Sequence, residues 1–305
     1  MSIRALDLLD LPTVYRYRGE AVSLDPVRLL TRGNPLGAMG MMSYVNPRRH
    51  IYSAISDNNG ATLLGGIIHT SGESFAKLLY LAPASRLDDH ALPALIEDLT
   101  AEAGKWGAFH VLAEVDETSE AFVPLRMAGF SVYAWQRMWD VSTLPVGDDL
   151  PKWPRVDSDD LGTIQSLYHQ IVPPLLQPLE PMPKRASGFI CSEGARCYVN
   201  TSSGMLGVVL LPLIHPETSD VSAKLLALIK HLPNRGGRPV YFCVRSYQAW
   251  LEPVLEDLGA KSAARQAVMV KHLTRMVKDE QSVRAAQPAG VSVQPSRVSR
   301  IGGKK

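Results

Sequence analysis

The sequence is short of several things. Three cysteines, Cys191, Cys197 and Cys243, stand among 305 residues, with no Cys-x-x-Cys pair. An odd, sparse set argues against a disulfide scaffold and a cysteine zinc site, and reduced thiols in the cytoplasm are the expectation. None of the eight histidines falls in a His-x-His or His-Glu-x-x-His spacing, so no metal is expected. The longest apolar run, Met205 to Ile214, is ten residues broken by Gly207 and Pro212, too short to span a bilayer. The opening MSIRALDLLDLPTVYRYRGE lacks a basic leader followed by an unbroken apolar stretch and does not read as a signal peptide. No excess of one charge sign exists either: 32 Lys+Arg stand against 30 Asp+Glu. That excludes an acidic disordered chain and a strongly basic nucleic-acid binder. No P-loop or serine–histidine–acid spacing occurs.

What is present is ordinary globular material, 46% hydrophobic and 20% charged, in a length that suits two domains. The pattern breaks at 142–154, STLPVGDDLPKWP, which reads as a linker. It breaks again after Val277. The expected units are therefore 1–145, 146–277 and a disordered basic tail, 278–305. The first carries 12 basic and 16 acidic residues, the second 14 and 12, the tail 6 and 2. The basic surplus thus belongs to the tail and says nothing about a domain ligand.

The two halves resemble each other. RALDLLDLPTVYRY opens the first and PRVDSDDLGTIQSLY the second; shifted by 150, Asp7 meets Asp157, Asp10 meets Asp160, Leu11 meets Leu161 and Thr13 meets Thr163. Each reads as a short strand, an acidic cap and an amphipathic helix. The closings match too: HVLAEVD (110–116), SEAFVPLRMAGF (119–130) and SVYAWQRMWDV (131–141) parallel PVYFCVR (239–245), YQAWLEPVLEDLGA (247–260) and ARQAVMVKHL (264–273). Gly129 and Gly259 sit where a helix end needs a left-handed residue. Between these ends the first half carries a hairpin over 51–56 and 62–70 about Asn58-Asn59-Gly60, a buried strand FAKLLYLAP (75–83) and a helix over 92–107. The second carries strands 195–201 and 205–214 and a helix over 222–233. The fold class expected is α/β, a mixed sheet with helices on its faces.

This order, with Arg4…Asp10…Tyr15, YLAPASRLDDHALPALIEDL (80–99) and the closing Gly129-Phe130, resembles the GNAT superfamily of acyl-CoA-dependent N-acetyltransferases, in tandem. The resemblance implies two GNAT-like domains and acetyl-CoA as co-substrate. In that family the buried strand splays from its neighbour and its free backbone pairs with the pantetheine arm, which points to Leu79 and Leu81. A Gln/Arg-x-x-Gly-x-Gly/Ala loop then holds the pyrophosphate at a helix N-terminus. The matching stretch is Arg86, Leu87, Asp88, Asp89, His90 and Ala91, with Asp89 at a glycine position, where a carboxylate repels phosphate and Asp88 and Asp89 serve instead to cap the helix. The equivalent 215–222, HPETSDVS, has no glycine. The family's general-acid tyrosine position holds Leu125 and Leu255, so no catalytic residue is assigned.

Glu114 is the single acid inside an otherwise apolar strand. It is either a base of raised pKa or, as expected, a strand-end carboxylate in water. The resemblance implies that GNPLGAMGMMSYVNPRRH (33–50) borders the acceptor site, where methionines would suit an adaptable apolar pocket; Met39, Met41 and Met42 otherwise read as ordinary core filling beneath a loop. Asn234 to Arg238 reads as a helix-ending turn with exposed arginines rather than an anion nest.

The function implied is transfer of an acetyl group from acetyl-CoA to a small-molecule or peptide amine by direct attack on the thioester. The alternative is a catalytically silent GNAT-fold module that binds a protein partner or small ligand. A FemABX-like aminoacyl transferase is a third reading, opposed by the absence of a basic stripe for transfer RNA; membrane and nucleic-acid partners are not expected.

Overall fold

The computed structural model describes residues 2–37, 48–58, 61–144, 151–183, 187–193, 196–232 and 236–273. The tail, the three methionines, the Asn59-Gly60 turn, residues 233–235 and the Pro- and Asp-rich stretch 145–150 lie outside them.

In chain order the elements are β1 (Ser2–Ala5), α1 (Leu11–Tyr17), β2 (Val22–Ser23), α2 (Pro26–Arg32), β3 (Arg49–Asn58), β4 (Ala61–Thr70), β5 (Phe75–Ala82), α3 (Leu92–Lys105), β6 (His110–Asp116), α4 (Phe122–Met127) and β7 (Ser131–Asp140). They continue with α5 (Leu161–Ile171), β8 (Phe189–Ile190), β9 (Cys197–Ser203), β10 (Val208–Ile214), α6 (Val221–His231), β11 (Val240–Arg245), α7 (Leu251–Asp257) and β12 (Lys261–His272).

Local chemistry repeats between the halves. The Asp7 N–H donates to Asp10 Oδ2 at 2.9 Å and the Leu9 N–H to Asp7 Oδ1 at 2.7 Å. The Asp157 N–H donates to Asp160 Oδ2 at 3.0 Å and the Asp159 N–H to Asp157 Oδ1 at 2.9 Å. Each carboxylate satisfies backbone donors that the start of a helix would otherwise leave bare. The first copy adds a paired contact from Arg4 to both oxygens of Asp10, at 2.7 and 2.6 Å. At the other end, Gly129 and Gly259 both adopt φ 87°. Phe130 N–H reaches Leu125 O at 3.1 Å and Ala260 N–H reaches Leu255 O at 3.0 Å, the same left-handed helix stop twice.

The strands join in one mixed sheet, ordered β1-β3-β4-β5-β6-β12-β7-β11-β10-β9-β8, with β2 added to β5. Each half gives its last strand away. β7 pairs antiparallel with β11, and β12 returns between β6 and β7, matching Gln266 to Asp116 and His272 to His110 on one side and Ala267 to Trp135 on the other. The run Ala267–Val270, with strands on both sides, is almost wholly buried, as an apolar run with no polar face requires. The described residues form one compact unit. The first core centres on α3, whose Leu92, Leu95, Ile96, Leu99 and Ala103 are buried at helical spacing. The second collects around β10, β11 and α6 and includes Trp153, whose indole N–H donates to Lys224 O at 2.8 Å, so the far end of the expected linker is docked. No described helix is long and apolar enough to cross a membrane.

Candidate functional site

Both halves contain a parallel strand pair that opens into a cleft. β5 and β6 pair only through Phe75/His110, Ala76/Val111 and Lys77/Leu112. Beyond Lys77 the inner edge of β5 has no neighbouring strand of the sheet path, and its backbone groups need partners. The chain itself supplies them. β2 pairs Val22 with Leu81 and Ser23 with Tyr80. Leu24 then donates its N–H to Leu79 O at 2.9 Å and accepts the Glu114 N–H at 2.9 Å, so one residue stitches both walls together. Leu24 is 1% exposed. The segment is also tied to the loop above it: Ser85 Oγ donates to Glu20 Oε2 at 2.9 Å.

The residues singled out from the sequence fall around this cleft. Leu79 and Leu81 line it, with the Leu79 carbonyl accepting from Leu24 and Leu81 paired to Val22. Arg86 ends a short 3-10 turn, Leu87 is buried, and Asp88 and His90 are exposed. The Ala91 N–H, at the place where an anion would be cradled, donates to Asp89 Oδ1 at 2.8 Å. A carboxylate already sits on that donor, and it would repel a phosphate. As arranged, this cleft does not fit acetyl-CoA.

The second cleft opens after Val208/Val240, Val209/Tyr241 and Leu210/Phe242. Here a side chain does the filling. Gln248, 1% exposed, donates Nε2–H to Pro212 O at 2.8 Å, and its Oε1 accepts the Ile214 N–H at 3.0 Å. Pro212 itself has no N–H to offer that edge. In the loop that follows, the Thr218 N–H is turned to His215 O at 3.0 Å and the Glu217 N–H to His215 Nδ1 at 3.2 Å. Asp220 adopts φ 52° before α6 without glycine's freedom. This cleft does not fit the cofactor either.

Between the halves lies a different arrangement. Glu114 is 3% exposed. Its carboxylate faces Lys77 Nζ at 3.5 Å and Arg245 Nη2 at 3.4 Å, and accepts from Gln136 Nε2 at 3.0 Å. Lys77 also faces Asp25 at 3.8 Å, and Arg245 Nε faces Glu180 at 3.3 Å. Arg245 and Cys243 both reach Gln136 Oε1, so the carboxamide locks the two strands. Charges therefore alternate along Asp25, Lys77, Glu114, Arg245 and Glu180, drawn from both halves. Desolvation pushes the Glu114 pKa up, but Lys77 and Arg245 outweigh it and hold the group at about 2. The two readings of Glu114 from sequence are both corrected: it is neither a solvated strand-end acid nor a base of raised pKa, because two cations from other strands converge on it. Burial, opposed by the charge of Arg245 and reinforced by those of Glu114 and Glu180, raises the Cys243 thiol to about 12.

This chain floors a cavity of about 390 Å³. α2, β5, β6, β7, β9, β10, β11 and residues 179–181 contribute to its walls, and Arg28, Arg32 and Arg49 also line it. Sequence reasoning passed over Lys77 and Arg245. Each is the lone charge in an apolar strand, FAKLLYLA and VYFCVR, the same signal that drew attention to Glu114. Leu125 and Leu255, at the expected tyrosine positions, are core residues. Arg238 is engaged by the β9–β10 turn, donating to Ser203 Oγ at 3.1 Å and to Gly204 O. Among the described residues no group of three or more His, Cys, Asp or Glu could hold a metal.

No family model matches this sequence and no curated protein matches it. Solved structures do. A tandem GNAT protein from the clavulanic acid biosynthesis pathway aligns with 90% of this chain and 99% of its own, at 12% identity and TM-score 0.50. A GCN5-related N-acetyltransferase from Sphaerobacter thermophilus aligns with 89% of this chain and 95% of its own, at 12% identity and TM-score 0.53. A putative acetyltransferase from Pyrococcus horikoshii aligns with 90% and 89%, at 9% identity and TM-score 0.51. The fold is thus that of the GNAT acetyltransferases, in the form of a tandem neighbour.

Proposed function

We propose that this chain is a catalytically silent member of the acyltransferase fold, which acts by binding a ligand between its halves. The observation that carries this is Leu24: its main chain occupies both walls of the first cleft, where the pantetheine arm of acetyl-CoA would need the same Leu79 carbonyl. The Asp89 carboxylate on the Ala91 N–H and the Gln248 carboxamide on β10 point the same way. In this reading residues 1–145 and 146–277 are two GNAT-like units that share strands, and 278–305 is a basic appendage. Buried, unbridged thiols suit a reducing, cytoplasmic setting.

Acyl transfer from acetyl-CoA to a small-molecule or peptide amine is the second reading. The two splayed strand pairs and the acetyltransferase fold shared with the neighbours favour it. It requires β2 or Gln248 to leave. Calorimetry of the full chain with acetyl-CoA separates the two. The silent reading expects no heat at millimolar cofactor; saturable binding at micromolar cofactor would overturn it. Binding tightened by Asp89→Lys would then assign the first cleft, and binding tightened by Gln248→Leu the second.

A further inference from the structure

The sheet sets four of the eight histidines in two cross-strand pairs. His50 of β3 stands opposite His69 of β4, and His110 of β6 stands opposite His272 of β12. The pairs share a placement and differ in geometry. The His50 and His69 rings lie 22° from parallel with centroids 6.0 Å apart, and both stack near Trp106. Their nitrogens are used elsewhere: His50 Nε2 meets Ser71 Oγ at 3.1 Å, and His69 Nε2–H donates to Glu73 O at 2.9 Å. The His110 and His272 rings stand at 89° with centroids 4.9 Å apart, and their Nδ1 atoms approach to 3.0 Å. Each ring turns the same nitrogen toward its partner.

The ladder holds this second pair in place. Leu273 donates its N–H to Phe109 O at 2.9 Å, and Phe109 donates its own to Ser74 O at 2.7 Å. A bond between the flanking residues makes His110 and His272 a non-hydrogen-bonded pair, the position where cross-strand side chains come closest. Neither ring is buried, and His272 is exposed.

We infer that His110 and His272 bind one divalent transition-metal ion of the nickel(II) or copper(II) kind through their Nδ1 atoms, with water in its remaining positions. The separation of the nitrogens selects the ion. Two nitrogens about 2.1 Å from one ion lie about 3.0 Å apart at a 90° angle and about 3.4 Å apart at the tetrahedral angle. The observed 3.0 Å matches the first, the angle of square or octahedral sites. Imidazole nitrogen suits nickel and copper, whereas magnesium and calcium take oxygen ligands. A closed tetrahedral zinc site would need further side chains, and no described His, Cys, Asp or Glu joins the pair. The two residues are 162 positions apart, so no spacing along the chain announces them. β6 belongs to the first half and β12 to the second, so a bound ion would tie the exchanged strand to the half that receives it.

The inference goes beyond the ligand-binding reading and fails separately from it: acetyl-CoA binding at either cleft would leave this site standing. A shared proton, one ring donating Nδ1–H to the other, would make the same contact, and the experiment tells an ion from a proton.

The full chain, prepared without a histidine tag and stripped with a chelator, is titrated by calorimetry with nickel(II), copper(II) and zinc(II) chloride. Nickel and copper should each fill a single saturable site per chain, with zinc weaker than nickel. His110→Ala and His272→Ala should each abolish that site, while His50→Ala, in the parallel pair, should leave it unchanged. Two further readouts do not rest on lost binding. The copper spectrum of the unaltered protein in electron paramagnetic resonance should carry hyperfine splitting from two imidazole nitrogens. Nickel should raise the melting point of the unaltered protein and leave that of His272→Ala where it was, since an ion that binds only the folded pair stabilises it by mass action. No saturable nickel or copper binding, binding that survives His272→Ala, zinc tighter than nickel, or a copper spectrum with fewer than two imidazole nitrogens would each overturn the inference.

Discussion

Leu24 and Glu114 are joined main chain to main chain, the Glu114 N–H donating to Leu24 O at 2.9 Å, while the Glu114 side chain turns to Lys77 and Arg245. One strand residue thus closes the first cleft on its backbone and anchors the central ionic chain on its carboxylate.

Removing that carboxylate takes away the acid that Lys77 and Arg245 share and leaves them with Asp25 and Glu180. Glu114→Ala should cost about 3–5 kcal/mol, the range for breaking a buried ion pair. Glu114→Leu combined with Lys77→Met and Arg245→Met should cost less than Glu114→Ala. Chemical denaturation of the three forms checks this, and equal losses would show that the charges are not coupled.

The same group sets a pH dependence. The Glu114 pKa falls from an ordinary 4.5 to about 2 in the folded protein, so its stabilisation is complete above the unfolded value and disappears as pH drops from near 4.5 to near 2. Asp10, held at about 2 chiefly by its hydrogen bonds from Arg4, adds to the same acid limb. Urea midpoints measured across that window should fall more steeply for the wild type than for Glu114→Gln or Asp10→Asn. Superimposable acid limbs would count against both pairings.

Gln248→Ala would leave Pro212 O and the Ile214 N–H buried and unpaired. At about 1–3 kcal/mol for each of the two stranded groups, a loss of roughly 2–6 kcal/mol is expected. Gln248→Glu should recover part of it, since a carboxylate still accepts from Ile214 but no longer donates to Pro212 unless protonated. A stability change under about 1 kcal/mol for Gln248→Ala would mean that water replaces the carboxamide.

Gly204 carries the contact between α2 and the β9–β10 turn. A Cβ there would stand 2.1 Å from Thr31 O, a backbone atom that cannot swing aside. Gly204→Ala should cost about 3 kcal/mol, the upper end of overpacking effects. Gly19→Ala, where a Cβ meets nothing within 4 Å, should be neutral or slightly stabilising. Thermal melts of the two variants give the comparison, and a melting point for Gly204→Ala equal to wild type would mean α2 is free to shift.

The sequence by itself determined the local elements. The acidic caps at Asp7–Asp10 and Asp157–Asp160, the glycine stops at 129 and 259, the apolar strand 110–116 and the amphipathic helix beginning at Leu92 all follow from short-range chemistry: capping, left-handed φ and hydrophobic period. The helix cap expected of Asp88 and Asp89 did not form: Ala91 is the N-cap residue, no side chain caps the helix, and Asp89 accepts the Ala91 N–H one residue before it. Only the tertiary structure decided what fills each cleft and what surrounds Glu114. Val22 and Ser23 are too short a strand to carry a pattern, and their partners lie nearly sixty residues away at Tyr80 and Leu81. The exchange of β7 and β12 leaves no mark in either strand, because an apolar run pairs equally well with a neighbour from either half. Lys77, Glu114 and Arg245 each read as one charge in an apolar strand. Their meaning is a sum of distances across the sheet, and no spacing along the chain contains it.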